Sequence, residues 1–215
     1  MNFIDKLGTS LPNFLKKNSY NISDEQVSDV LYGHSLLTQS MTCPRVGPLK
    51  ADINVIIFFD YQCEFSSKLL KNIYNLIQKN PNVKFLFKEW PIFSSRWPSS
   101  LFASKVALHA WQTEGWDKYI TFQKNLFSLN KLEGKLEVAD IMSLAKNIGL
   151  DISTTPSQKD LFDSIERQAQ IAGIKGTPSI IITPSHNPNK HNTTIFPGIV
   201  TLSELEKAID IAKNH

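Results

Sequence analysis

The run Ile53-Asn54-Val55-Ile56-Ile57-Phe58-Phe59 is built almost wholly of β-branched and aromatic residues. It reads as a buried strand. A short turn, Asp60-Tyr61-Gln62, follows it, and then the period changes. From Cys63 the apolar residues fall at Phe65, Leu69, Leu70, Ile73, Leu76 and Ile77, the spacing of a helix with one apolar face. Cys63 therefore stands where a strand hands over to a helix. The first backbone N–H groups of a helix have no partner inside it, and the helix dipole is positive at that end. Both effects favour a thiolate over a thiol in a cysteine so placed. The position alone is a weak signal, because free cysteines are more often inert core residues.

The following segments extend the pattern. Asn80-Pro81-Asn82 ends the helix. Residues 83–90 alternate apolar and polar side chains and read as a second strand. Strand, helix and strand in this order form a βαβ unit, so the two strands are expected to be parallel. From Pro98 to about Gly173 the spacing is helical, in four patterns. The first holds Leu101, Val106, Leu108 and Trp111, and the second Tyr119, Phe122, Leu126 and Phe127. The third runs from Val138 to Ile148, where Gly149 stops it, and the fourth follows Pro156 with Leu161, Ile165, Ala169 and Ala172. A strand over 180–183, a polar tip over 184–191, a short strand over 194–196 and a helix from Ser203 complete the chain. Ahead of all this, residues 1–42 form a distinct segment. Phe3, Leu7, Leu11 and Leu15 recur at helical intervals interrupted by Pro12, and Ser23-Asp24-Glu25-Gln26 has the form of a capping box. The helix it starts carries Val27, Val30, Leu31 and Leu37.

Three separated stretches carry a resemblance to a known family. Phe58-Phe59-Asp60-Tyr61-Gln62-Cys63 resembles the active-site approach of the DsbA-like thiol:disulfide oxidoreductases. Lys88-Glu89-Trp90-Pro91-Ile92 resembles that family's segment of Lys-Glu, an aromatic or aliphatic residue and Pro, and Gly173-Ile174-Lys175-Gly176-Thr177-Pro178 its cis-proline loop. Gly47-Pro48 matches loosely the lead-in to the first strand, and Pro197-Gly198 with the closing helix matches the family's end, so the resemblance runs from about Pro44 to the C-terminus. It implies an α/β chain with a thioredoxin-like fold and an inserted helical subdomain at about 98–173. The domain would span 43–215, preceded by the helical extension 1–42. Some members of the family dimerise or trimerise through such N-terminal segments, which makes residues 1–42 a candidate homo-oligomer contact; packing on the chain's own domain is the other reading. The family implies a cis Thr177–Pro178 bond, with the loop beside the nucleophile and paired to substrate backbone. It also implies a periplasmic or other extracytoplasmic site. Met1-Asn2-Phe3-Ile4-Asp5-Lys6 lacks the basic and long apolar regions of a signal peptide, which leaves the cytoplasm as the alternative.

The sequence departs from the family at one decisive place. The family motif continues Cys-x-x-Cys, whereas this chain reads Cys63-Glu64-Phe65-Ser66. Ser66 cannot attack a mixed disulfide, so a dithiol cycle through positions 63 and 66 is excluded and monothiol chemistry remains. Cys63 is the expected nucleophile. Ser66 is expected to donate a hydrogen bond to its thiolate. Thr177, Pro178, Glu64 and Phe65 are the expected substrate contacts. Glu89 is a candidate proton shuttle, although a glutamate in such a segment is more often solvated at the surface.

No cofactor is expected; glutathione enters only as an external thiol, and the expected partners are cysteine-containing proteins or glutathione. His186 and His191 lie five apart on the polar tip, which is poor support for a metal, and His34 and His109 read as surface or interfacial residues on helices. A net charge of +3 with no Lys/Arg cluster argues against nucleic acid. No apolar run approaches the ~18 residues of a membrane span. Cys43 and Cys63 permit one bridge at most. Forming it would require residues 43–52 to fold back along a strand roughly 23 Å long. Two rivals to the enzyme are a binding or chaperone module that has lost turnover, favoured by the missing second cysteine, and a kappa-like glutathione transferase or isomerase. The latter is disfavoured because it typically has serine at the nucleophile position.

Overall fold

A computed structural model describes residues 22–38 and 43–214. The helical pattern around Phe3, Leu7, Leu11 and Leu15 lies outside the described residues, as does most of the segment read as a candidate oligomer contact. The apolar run forms a strand over Ile53–Phe59 (β2), and all seven of its residues are buried. A strand hidden on both faces must sit at the centre of a sheet with both sides covered, and the topology bears this out. A two-residue strand Arg45–Val46 (β1) precedes it. Lys84–Glu89 (β3), Ser179–Pro184 (β4) and Thr194–Phe196 (β5) follow, in the sheet order β1-β3-β2-β4-β5. β2 and β3 are parallel, as the βαβ order requires, and the other neighbours are antiparallel.

The period-two alternation of β2 sorts its side chains between two apolar layers. Ile53, Val55, Ile57 and Phe59 face one layer with the helices Glu64–Lys79 (α3), Pro98–Ser128 (α4), Val138–Asn147 (α5) and Leu202–Lys213 (α7). Ile56 and Phe58 face the other, against Asp24–Tyr32 (α1), His34–Thr38 (α2) and Lys159–Ile171 (α6). Val30 and Leu37 of the N-terminal segment are buried in that second layer, so residues 24–38 pack on the sheet of their own domain. The Ser23 hydroxyl caps α1 by accepting from the Gln26 N–H at 3.1 Å. The reciprocal half of the expected capping box is not made, because the Gln26 amide donates instead to the Gly173 carbonyl at 3.1 Å.

The insertion follows the sequence patterns with one change. The first two helical patterns belong to one long rod, α4, broken at Gly115, whose φ of 77° and ψ of −160° lie outside the helical region. Only a residue without Cβ adopts that conformation at little cost. The rod and α5 lie on one layer and α6 on the other, so the insertion wraps around the sheet edge. His109, read as surface or interfacial, is 5% exposed on α4 and bonds the Asp151 carbonyl at 2.7 Å, fastening the rod to the loop after α5.

Glu89, expected to be solvated, is fully buried where β3 meets the insertion. Its position follows from register: it sits opposite Phe59 and on the same face as Phe85 and Phe87, toward α4. Its Oε1 accepts from Tyr61 Oη at 3.0 Å and from Tyr119 Oη at 2.9 Å, and the buried Ser104 hydroxyl lies close to the same carboxyl. Burial outweighs these bonds and raises the carboxyl from 4.5 to about 8. The folded chain thus holds the proton more tightly than the unfolded chain does. The stability contributed by this group is complete below about 4.5 and is lost as pH rises through about 8. Glu89→Gln keeps an acceptor for both phenols and removes the proton. Urea-unfolding free energies should therefore decline less steeply for the variant between pH 5 and pH 8, by up to roughly 1.4 kcal/mol per pH unit. Parallel curves for the two proteins would contradict the buried, protonated carboxyl.

Candidate functional site

The ends of β2 and β3 and the start of β4 meet at one end of the sheet, because β4 runs antiparallel to β2 with Ser179 opposite Phe58. This brings Cys63 and the Thr177–Pro178 loop together across 114 residues of sequence. Cys63 is the N-cap residue of α3 with extended backbone (φ −82°, ψ 117°), and its side chain makes no capping bond to its own helix. The Cys63 Sγ donates instead to the Thr177 carbonyl at 3.2 Å. The Thr177–Pro178 peptide is cis. The thiol is 4% exposed. A groove of about 540 Å³ runs between α1 and the loop, lined by Gln26, Lys175, Gly176, Thr177, Pro178 and Pro197 among others; Cys63 is not part of its lining and meets it through Thr177.

The other sequence-derived candidates divide. Phe65, two residues after the thiol, projects into solvent at 52% exposure, with the Lys68 ammonium 5.7 Å above its ring. Glu64 is partly exposed and paired with Lys68 one helical turn on, a surface contact of little energetic weight. Ser66 is fully buried, but the expected bond to the sulfur is not formed. Its Oγ lies 3.4 Å from the Asp60 N–H and accepts from it, while the sulfur is turned toward Thr177. Among the described residues Glu89 makes no hydrogen bond to Cys63; its hydrogen-bonded link toward the site is Tyr61, which lies two residues before the cysteine.

The turn before Cys63 does more than change direction. Asp60 is buried, and its carboxylate accepts from the Gln62 N–H at 2.7 Å, the Phe93 N–H at 3.0 Å and the Ser100 hydroxyl at 2.7 Å. Burial raises its pKa, and those three donors oppose the rise. Gln62 is equally buried. Its amide donates to Ser99 Oγ at 2.7 Å and the Leu136 carbonyl at 3.2 Å, and its Oε1 accepts from the Gly134 N–H at 2.9 Å. Its backbone carbonyl accepts from the Glu133 N–H at 3.0 Å. Apart from the Gln62 N–H, which lies within the turn, these partners belong to the β3–α4 loop, the start of α4 or the α4–α5 loop, so the insertion is bolted to the turn that presents the thiol. Sequence reasoning read this stretch only as a turn. The available signal was an Asp two residues before a Gln at the end of an apolar strand, the pattern of an Asx turn.

The fold and site agree with comparisons to known proteins. The sequence model described as thioredoxin matches residues 39–210. BcfH of Salmonella enterica Typhimurium superposes with a TM-score of 0.80 at 32% identity, over 94% of this chain and 86% of that one. The thiol-disulfide exchange protein alpha-DsbA2 from Wolbachia pipientis shares the fold, with a TM-score of 0.71 at 23% identity over 91% of this chain and 97% of that one. So does a periplasmic thioredoxin-like protein from Salmonella enterica serovar Typhimurium, with a TM-score of 0.67 at 20% identity over 88% and 96%. No curated protein matches. The chain belongs to the thioredoxin family and has the helical insertion of its DsbA-like members.

Proposed function

We propose that this protein is a thiol:disulfide exchange enzyme that works with one thiol, acting on protein disulfides or mixed disulfides as an isomerase or reductase. The observation that carries this reading is the 3.2 Å contact between Cys63 Sγ and the Thr177 carbonyl, which sets the only thiol of the motif against the loop that lines the groove. Cys63, as thiolate, attacks one sulfur of a substrate disulfide. The S–S bond breaks, the bonding pair leaves with the other substrate sulfur, and a mixed disulfide remains on Cys63. Ser66 offers no second sulfur. Release therefore comes from another thiol of the substrate, which rearranges its disulfides, or from a small thiol such as glutathione, which reduces them.

The groove supports an extended substrate. Thr177 Oγ1 is buried with no hydrogen-bond partner among the described residues, and Phe65 offers an exposed aromatic surface two residues after Cys63. Pro178 and Glu64 complete the contacts assigned to substrate. Glu89 is a proton reservoir at one remove, through Tyr61, and not a group that touches the sulfur. By analogy with the periplasmic thioredoxin-like protein that shares its fold, we assign the chain to the periplasm. Residues 1–42 are its proposed homo-oligomer contact.

A glutathione-coupled assay on a mixed-disulfide peptide tests the enzyme reading. Wild type should turn over, and Cys63→Ser should fall to the uncatalysed rate. Equal rates for the two would instead support a binding or chaperone module that has lost turnover.

Ser66→Cys tests the mechanism. Position 66 lies on the first turn of α3, close enough to position 63 for disulfide geometry. The variant, mildly oxidised, should carry an intramolecular 63–66 disulfide on peptide mapping and gain dithiol oxidase activity that wild type lacks. Absence of that bridge would contradict the assigned geometry.

A further inference from the structure

Away from the α3 layer, the second cysteine meets a buried amine. β1 pairs with β3 so that Arg45 lies opposite Leu86 and Val46 opposite Phe85, and the Phe87 N–H donates to the Pro44 carbonyl at 2.9 Å. One residue further along the same register, Cys43 stands opposite Lys88. Both are 1% exposed. Cys43 packs in the apolar layer with Phe58, Leu86 and Trp90, and the Lys88 amine is close enough to interact electrostatically with it. None of the ion pairs among the described residues includes Lys88. An ammonium buried without a carboxylate is costly, and burial holds this one below the usual lysine range. A desolvated lysine amine with a free lone pair is a nucleophile.

We propose that Cys43 and Lys88 form a peroxide-responsive pair, in which oxidation of the thiol is captured by the facing amine as a sulfur–nitrogen cross-link between the lead-in to β1 and β3. Hydrogen peroxide is the oxidant. The Cys43 sulfur attacks one peroxide oxygen, the O–O bond breaks and water leaves, giving a sulfenic acid; sulfur gives up two electrons and peroxide takes them. The Lys88 nitrogen then attacks that sulfur. The S–O bond breaks, and the hydroxyl departs with an amine proton as a second water, with no further redox change. An external thiol reverses the link by attacking sulfur and returning a proton to the departing amine.

Access and consequence both follow from the position of the pair. β1 is a two-residue edge strand, and local opening of such an edge is less costly than unfolding the sheet. Once formed, the link would lock that edge to the strand that ends in Glu89 and leads into the Trp90-Pro91 segment. The cross-link makes no use of Cys63, so it stands apart from the exchange chemistry.

Peptide mapping of the wild-type chain after treatment with hydrogen peroxide tests the pair. The expected product is a Cys43 peptide joined to a Lys88 peptide, lighter than their sum by two hydrogens and separated again by dithiothreitol. Lys88→Met, checked for fold by circular dichroism, should give no such species. Recovery of Cys43 as thiol, sulfinic acid or sulfonic acid with the Lys88 peptide unmodified would overturn the proposal, whatever becomes of Cys63. The wild-type result is decisive even if the variant fails to fold.

Discussion

The geometry of the site depends on a polar turn that is buried. Asp60 and Gln62 lie at the end of a strand covered on both faces, where neither can reach water. A buried polar group left without a partner costs about 1–3 kcal/mol, so the chain must bring partners to them. It does so with Ser99 and Ser100 at the start of α4, the Phe93 N–H ahead of it, and the backbone of residues 133–136. These bonds fix the insertion against the sheet and hold the backbone that delivers Cys63 to the head of α3. The thiol is thus presented by a rigid scaffold even though it sits at a loop–helix boundary.

Much of the architecture was legible because it follows from periodicity. The unbroken apolar run of β2, the alternation of β3 and the 3.6-residue spacing of α3, α5, α6 and α7 each have one simple packing solution. The cis-proline loop was legible only as part of a motif set. What stayed hidden was long-range hydrogen bonding. Nothing near Glu89 in sequence announces Tyr119, and nothing near Gln62 announces Gly134 and Leu136, because those partners meet only once the insertion has folded back. Gly115 was likewise unread, since a break between two helical patterns looks the same in sequence whether the rod bends or a loop intervenes. Ser66 was read as a partner for sulfur because its hydroxyl can donate, but that oxygen accepts from the nearby Asp60 N–H.

The two cysteines occupy contrasting settings. The chain between them does reverse, as Gly47 and Pro48 permit: β1 returns along β3 and carries Cys43 back toward the end of the sheet where Cys63 lies. Even so, β3 separates β1 from β2, and both cysteines are free thiols. Cys43 also faces the α1–α6 layer, away from α3. The two thiols thus face different layers of the sheet, an arrangement consistent with the proposed one-thiol mechanism.

That mechanism is tested most directly by the fate of a mixed disulfide on Cys63. Wild-type protein treated with oxidised glutathione and then freed of small thiols should carry one glutathione by intact mass, located on Cys63. The adduct should persist until a thiol is added and then be released. Spontaneous loss of the adduct, with a Cys43–Cys63 disulfide in its place, would contradict the account.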